Sequence, residues 1–136
     1  MKVVDVMTAD PITVTPSETI RQADGLMDEH NFRQLPVVKG RTLVGIITDR
    51  DIRSFLSGSL HTSREEWDKA MSTAVSNVMT QQPIAVEPDD DLTEVIEILI
   101  TEKIGAIPVV DKIEGLVGIV SYIDVLRCFL DRLQEG

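Results

Sequence analysis

The sequence predicts an α+β fold built from two copies of one β-α-β-β-α unit. Three observations carry that expectation. The chain repeats itself over most of its length, each copy holds β-branched apolar runs bounded by turn residues, and those runs alternate with stretches whose apolar residues recur every three or four positions.

The first copy opens on Val6-Met7-Thr8, a turn, and a short strand expected at Ile12–Val14, bracketed by Pro11 and Pro16. A helix is expected from Ser17, with Ser17 as N-cap, Glu18 in its first turn and Ile20, Ala23, Leu26 and Met27 on one face. A strand ending in Leu35-Pro36-Val37-Val38 follows, then a turn through Lys39-Gly40 and a second strand over Thr42–Ile47. A helix begins at Asp49. Ser57–Ser76 is polar and then helical, with Ser63 and Glu66 spaced as a capping box and Trp67, Ala70 and Met71 on one face. Trp67 suits either packing on the body of the protein or anchoring a partner.

The second copy repeats this order. Met7 recurs as Met79, and at the same spacing Val6, Thr8, Pro11, Ile12, Val14, Pro16, Pro36, Val37 and Val38 return as Val78, Thr80, Pro83, Ile84, Val86, Pro88, Pro108, Val109 and Val110. Its first helix, over Asp89–Glu102, carries Leu92, Val95, Ile96, Leu99 and Ile100; its last, over Tyr122–Leu133, carries Val125, Leu126, Phe129, Leu130 and Leu133. The boundaries read as 1–58 for the first repeat, 59–75 for a connecting segment with a short helix, and 76–136 for the second.

The chemistry-bearing stretches are Leu43–Ile52, LVGIITDRDI, and Leu116–Val125, LVGIVSYIDV. In each, an apolar strand ends at a hydroxyl, Thr48 or Ser121, and a carboxylate follows three residues later, Asp51 or Asp124. A strand running into a helix N-terminus leaves backbone N–H groups for an anion, while a hydroxyl and a carboxylate there supply a donor for phosphate and an acceptor pair for a sugar diol. Plain helix capping explains a single copy equally well; two copies in matching context favour a site.

Composition narrows the function. The formal net charge of −10, from 13 basic and 23 acidic side chains, disfavours nucleic acid and anionic membrane surfaces. Aromatics make up 4% of a chain that is 43% hydrophobic, so the core is aliphatic. Cys128 is the only cysteine, which excludes an intrachain disulfide, and it is expected to be a buried, inert thiol. The N-terminus lacks the apolar stretch of a secretory signal, and no apolar run approaches the roughly 20 residues that span a bilayer, so the cytoplasm is the expected location.

The duplicated order VMT…PITVTP, LPVV, LVGIITDRD and VMT…PIAVEP, IPVV, LVGIVSYID resembles a tandem pair of cystathionine-β-synthase (CBS) domains, the Bateman module, over about residues 3 to 131. The resemblance implies repeats packed sheet to sheet with pseudo-two-fold symmetry, and clefts between them that take adenosine ligands such as AMP, ADP, ATP or S-adenosylmethionine. It makes Asp51 and Asp124 the ribose acceptors, puts Thr48 and Ser121 beside phosphate and Thr13 and Ala85 by the base, and adds Ile47, Val120, Gly105 and Ala106 to the ligand-binding positions. Arg33, Gln34 and Arg50 are the candidate phosphate ligands, with Arg50 expected to favour the cleft around Asp124; the second copy has Gly105 and Ile123 where the first has Arg33 and Arg50. Arg50 is also open to a surface role, paired with Asp49 or Asp51.

The sequence holds no P-loop and no nucleophile with a plausible base, and His30 and His61 lie in no metal-ligand pattern, so an enzyme is not expected. His30 suits the end of a helix, and Asp89-Asp90-Asp91 suits the start of one. The expected function is a stand-alone regulatory module that needs no cofactor, senses an adenosine nucleotide or derivative, and acts on an unidentified effector protein. The rival is a structural dimerisation or interaction module with empty clefts. A homodimer is expected through the helices around Ile52, Phe55, Leu56, Leu126, Phe129 and Leu130.

Overall fold

The computed structural model describes residues 1–58 and 63–136. His61 and the polar start of the connecting segment, Ser59–Thr62, lie outside the described residues. The elements in order are β1 (Thr8–Ala9), α1 (Ile20–His30), β2 (Gln34–Lys39), β3 (Thr42–Thr48), α2 (Asp49–Ser57), α3 (Arg64–Met71), β4 (Thr80–Gln81), α4 (Leu92–Glu102), β5 (Ala106–Asp111), β6 (Gly115–Ser121) and α5 (Tyr122–Glu135), with 3-10 turns at Val3–Asp5 and Val75–Asn77. Among the described residues, no helix is long and apolar enough to cross a membrane.

The chain divides into two compact units, and their bounds are interleaved in sequence. One comprises Ile12–Gln82; the other joins Met1–Pro11 to Pro83–Gly136.

In the Ile12–Gln82 unit the sheet order is β2-β3-β4, all antiparallel. β2 is an edge strand, where Pro36 withholds an N–H at no cost to the ladder. Among the described residues its outer side is met by Val14, whose N–H donates to the Pro36 carbonyl and whose carbonyl accepts from the Val38 N–H. The strand expected over Ile12–Val14 is therefore one parallel bridge, Val14 to Val37. Gly40, at φ 61°, makes the tight turn between β2 and β3. The core holds Val14, Ile20, Ala23, Met27, Leu35, Val37, Ile47, Ile52, Met71 and Val75.

The expected start of α1 at Ser17 is corrected to Thr19. The Glu18 carboxylate turns back to the Thr15 N–H at 2.9 Å, closing a turn of its own, and Thr19 makes a reciprocal capping box with Gln22. At the other end His30 stacks on Phe32, ring centroids 5.4 Å apart. Ser63 caps α3, accepting from the Glu66 N–H at 3.1 Å. Met71 is buried while Trp67 remains 41% exposed, so only part of the expected α3 face packs.

In the other unit the sheet order is β1-β6-β5, and the core holds Val3, Val86, Leu92, Val95, Ile107, Val109, Val120 and Val125. Val86 repeats the single parallel bridge, to Val109. The acidic triplet is used structurally: Asp91 caps α4, Asp90 accepts from the Glu87 N–H, and Asp89 pairs with Lys2 at 3.5 Å. α4 accordingly starts at Leu92 rather than Asp89. Cys128 is half-buried rather than buried, its thiol 3.4 Å from the Met1 sulfur.

Each unit thus takes its third strand from the other sequence copy, and the contact admits no side chain. A Cβ on Gly45 would stand 2.5 Å from the Met79 sulfur and 2.9 Å from the Thr80 carbonyl; one on Gly118 would meet Met7 and Thr8 at 2.5 and 3.0 Å.

The apolar surface also differs from expectation. Ile52 lies in the core and Phe55 and Leu56 pack against it, whereas Leu126, Phe129, Leu130 and Leu133 of α5 are all exposed, Leu133 at 78%.

Candidate functional site

The β2–β3 register sets Gln34 opposite Thr48 and Leu35 opposite Ile47, so the start of β2 lies beside the first turn of α2. The Asp49 N–H donates to the Arg33 carbonyl at 2.9 Å. Thr48 caps α2 by a reciprocal pair: its N–H donates to Asp51 Oδ2 at 2.9 Å, and the Asp51 N–H donates to its hydroxyl at 3.0 Å. Capping thus uses two of the N–H groups that an anion would otherwise find, and Arg33 a third. Among the described residues the Asp51 Oδ1 atom accepts no hydrogen bond, and Thr48 and Asp51 are both half-buried.

The cations paired around this turn are held by Asp49. Asp49 pairs with Arg33 at 3.7 Å and with Arg53 at 3.4 Å. Arg50 is exposed and, among the described residues, makes no ion pair with Asp49 or Asp51.

The other unit repeats the turn with a different hydrogen-bond pattern. Ala106 stands opposite Ser121, and the Tyr122 N–H donates to the Gly105 carbonyl at 3.0 Å. Ser121 N donates to Asp124 Oδ2 at 2.8 Å and the Asp124 N–H returns to the serine hydroxyl at 3.1 Å. Here the serine hydroxyl also lies 3.1 Å from Oδ2, and the Thr8 hydroxyl reaches Oδ1 at 3.3 Å. Thr8 was not among the residues expected at the site. Its signal was present, since Thr8 recurs as Thr80, but only the exchange of β1 brings it to this turn.

The remaining candidates divide by burial. Ile47 and Val120 are fully buried in their cores and Ala106 nearly so, which leaves their backbone groups rather than their side chains for a ligand. Thr13 is half-buried beside the Val14 bridge, and Ala85 is exposed beside the Val86 bridge. Among the described residues, no three His, Cys, Asp or Glu side chains are grouped to hold a metal ion.

The fold is a duplicated α+β unit that ends each time in a strand, a capping hydroxyl and a carboxylate. The chain belongs to the CBS domain family, whose profile matches residues 3–58 and 75–131. It is 36% identical to the CBS domain-containing protein YhcV of Bacillus subtilis, over 89% of this chain and 80% of that protein. It is 33% identical to protein MJ1225 of Methanocaldococcus jannaschii, over 92% of this chain and 48% of that protein. Identity reaches 38% with inosine-5'-monophosphate dehydrogenase of Korarchaeum cryptofilum, but the chain spans only 25% of that enzyme, too little to carry its activity across. Among solved structures, CBSX2 in complex with AMP superposes with a TM-score of 0.81 at 29% identity, covering 96% of each chain. The CBS domain pair of protein MJ0100, in complex with 5'-methylthioadenosine and S-adenosyl-L-methionine, superposes with a TM-score of 0.80 at 28% identity, covering 97% of this chain and 98% of that one.

Proposed function

We propose that this chain is a regulatory module that binds an adenosine-containing ligand at the Thr48–Asp51 and Ser121–Asp124 turns and signals by a change of conformation. The observation that carries the reading is Asp51: its carboxylate is held in place by the Thr48 N–H through one oxygen while the other, among the described residues, accepts no hydrogen bond, which suits the hydroxyls of a ribose. The complexes of CBSX2 with AMP and of MJ0100 with methylthioadenosine and S-adenosylmethionine support the choice of ligand class. Arg50, with Arg33 and Gln34 nearby, is the proposed phosphate contact. No catalytic role is proposed for the two turns: the Thr48 and Ser121 hydroxyls accept the Asp51 and Asp124 N–H groups and serve as helix caps. Signalling follows from linkage, since a ligand that binds one arrangement more tightly raises its population, and an effector protein reads the change.

Thermal-shift titration with AMP, ADP, ATP, S-adenosylmethionine and NAD tests this. At a hundred times the dissociation constant, binding adds about 2.7 kcal/mol of stability, a shift of several degrees. A melting temperature that none of the five raises excludes the reading.

A second reading, a dimerisation module that binds no nucleotide, rests on the exposed apolar face of α5. Light scattering combined with an unchanged melting temperature in all five ligands would establish it.

A further inference from the structure

We propose that Thr8 is a specificity-determining positioning residue: it engages one oxygen of Asp124 and makes the two repeats unequal toward a cis-diol. This rests on the reading of Asp51 and Asp124 as ribose acceptors.

A carboxylate offers roughly four lone-pair directions, about two on each oxygen. At Asp51, Oδ2 accepts the Thr48 N–H and, among the described residues, nothing else is taken. Both hydroxyls of a diol can then be accepted without disturbing the protein. At Asp124, Oδ2 already receives the Ser121 N–H at 2.8 Å and faces the Ser121 hydroxyl at 3.1 Å, so it is filled. Oδ1 receives the Thr8 hydroxyl at 3.3 Å, which leaves room for one further donor. A diol at Asp124 must therefore bind through one hydroxyl or displace Thr8.

The difference does not come from the backbone. Thr8 stands opposite Ile119 in the β1–β6 pair, and Thr80 stands opposite Ile46, the repeat equivalent of Ile119, in the β3–β4 pair. Both threonines are exposed, yet among the described residues Thr80 makes no side-chain hydrogen bond to Asp51. One repeat therefore presents an open carboxylate and the other an occupied one. The consequence is a division of labour: the Asp51 turn discriminates ribose from deoxyribose, and the Asp124 turn tolerates ligands with one ribose hydroxyl.

The test uses adenosine and 2'-deoxyadenosine, which carry no phosphate and so isolate the sugar. Calorimetric titrations of the full chain are made on Asp51→Ala, which leaves the Asp124 turn, with and without Thr8→Val; Asp124→Ala with and without Thr80→Val is the matched control. Freeing one charged acceptor should tighten adenosine about three- to tenfold in the Thr8→Val background and leave 2'-deoxyadenosine within about twofold. Thr8→Ser, which keeps the hydroxyl, should restore the parent ratio, and Thr80→Val should change neither nucleoside. Equal shifts for both nucleosides, or weaker adenosine binding in Thr8→Val, overturn the proposal. Thr8→Ala is read in the same way should the valine variant not fold. If adenosine binds neither the unaltered chain nor any variant, the ribose reading itself falls; if it binds and Thr8→Val has no effect, only the role of Thr8 falls.

Discussion

Thr48 and Asp51 each satisfy the other's backbone N–H, so a change at either acts on the helix as well as on the proposed ligand contact. Thr48→Ala removes an N-cap, and the expected loss is about 1 kcal/mol, or a few degrees in Tm by calorimetry, without ligand. Arg50 tests the proposed ligand contact separately from capping, because it caps nothing and pairs with neither Asp49 nor Asp51 among the described residues. Arg50→Ala is expected to weaken AMP much more than adenosine, and the gap should narrow in high salt as the phosphate contact is screened. Binding curves for both ligands at two salt concentrations decide it: equal weakening makes Arg50 a surface residue.

At the scale of elements, two acidic turns carry a pH signature. The N–H of Thr93 holds the Asp91 carboxyl below its ordinary value of 3.8, and the N–H groups of Glu114 and Ile113 do the same for Asp111. A carboxyl lowered in the folded state stabilises the fold above its unfolded value, and that contribution is lost as pH falls through the lower folded value. Stability should decline below about pH 4 on this account, and Asp91→Asn with Asp111→Asn should flatten the acid limb of a urea-denaturation series. The strand contact makes a sharper demand. Gly45→Ala drives a methyl against the Thr80 carbonyl as well as the Met79 side chain. The expected cost is about 1–3 kcal/mol by denaturant unfolding. Met79→Ala should recover only part of it, because the carbonyl remains.

For the whole molecule, the exchange of β1 and β4 separates the sequence repeat from the folding unit. Val75, at the end of the connecting segment, lies in the core of the Ile12–Gln82 unit, and Val78 and Met79 of the second copy pack against it. A fragment of residues 12–82 should therefore unfold more cooperatively, followed by circular dichroism, than a fragment of residues 1–58, which lacks those side chains and β4. Homodimerisation is proposed to use α5, whose Ile123, Leu126, Phe129, Leu130 and Leu133 line an open apolar groove of about 450 Å³. Leu126→Lys with Leu130→Lys should then give a monomer by light scattering at a concentration where the unaltered chain is a dimer.

Much of this protein is written in local pattern. The β-branched runs at Leu43–Ile47 and Leu116–Val120 are strands, the stripes at three- and four-residue spacing are helices, and Thr48 and Ser121 cap because a short hydroxyl ahead of a helix has few better uses. Repetition of these stretches was enough to find the family and both candidate turns. Other features depended on neighbours distant in the chain. The start of α1 is not one of them, because Thr19-x-x-Gln22 is itself a capping-box spacing and marks Thr19 rather than Ser17 locally. Nothing in LVGIITDRDI reveals that Ile52 is buried while Leu126, one position past its repeat equivalent Val125, is exposed. The exchange of β1 and β4 was equally hidden, because pairing partners in a sheet are set by packing across long separations rather than by local preference. That exchange alone brings Thr8 within 3.3 Å of Asp124, 116 residues away, and makes two turns alike in sequence unlike in hydrogen bonding.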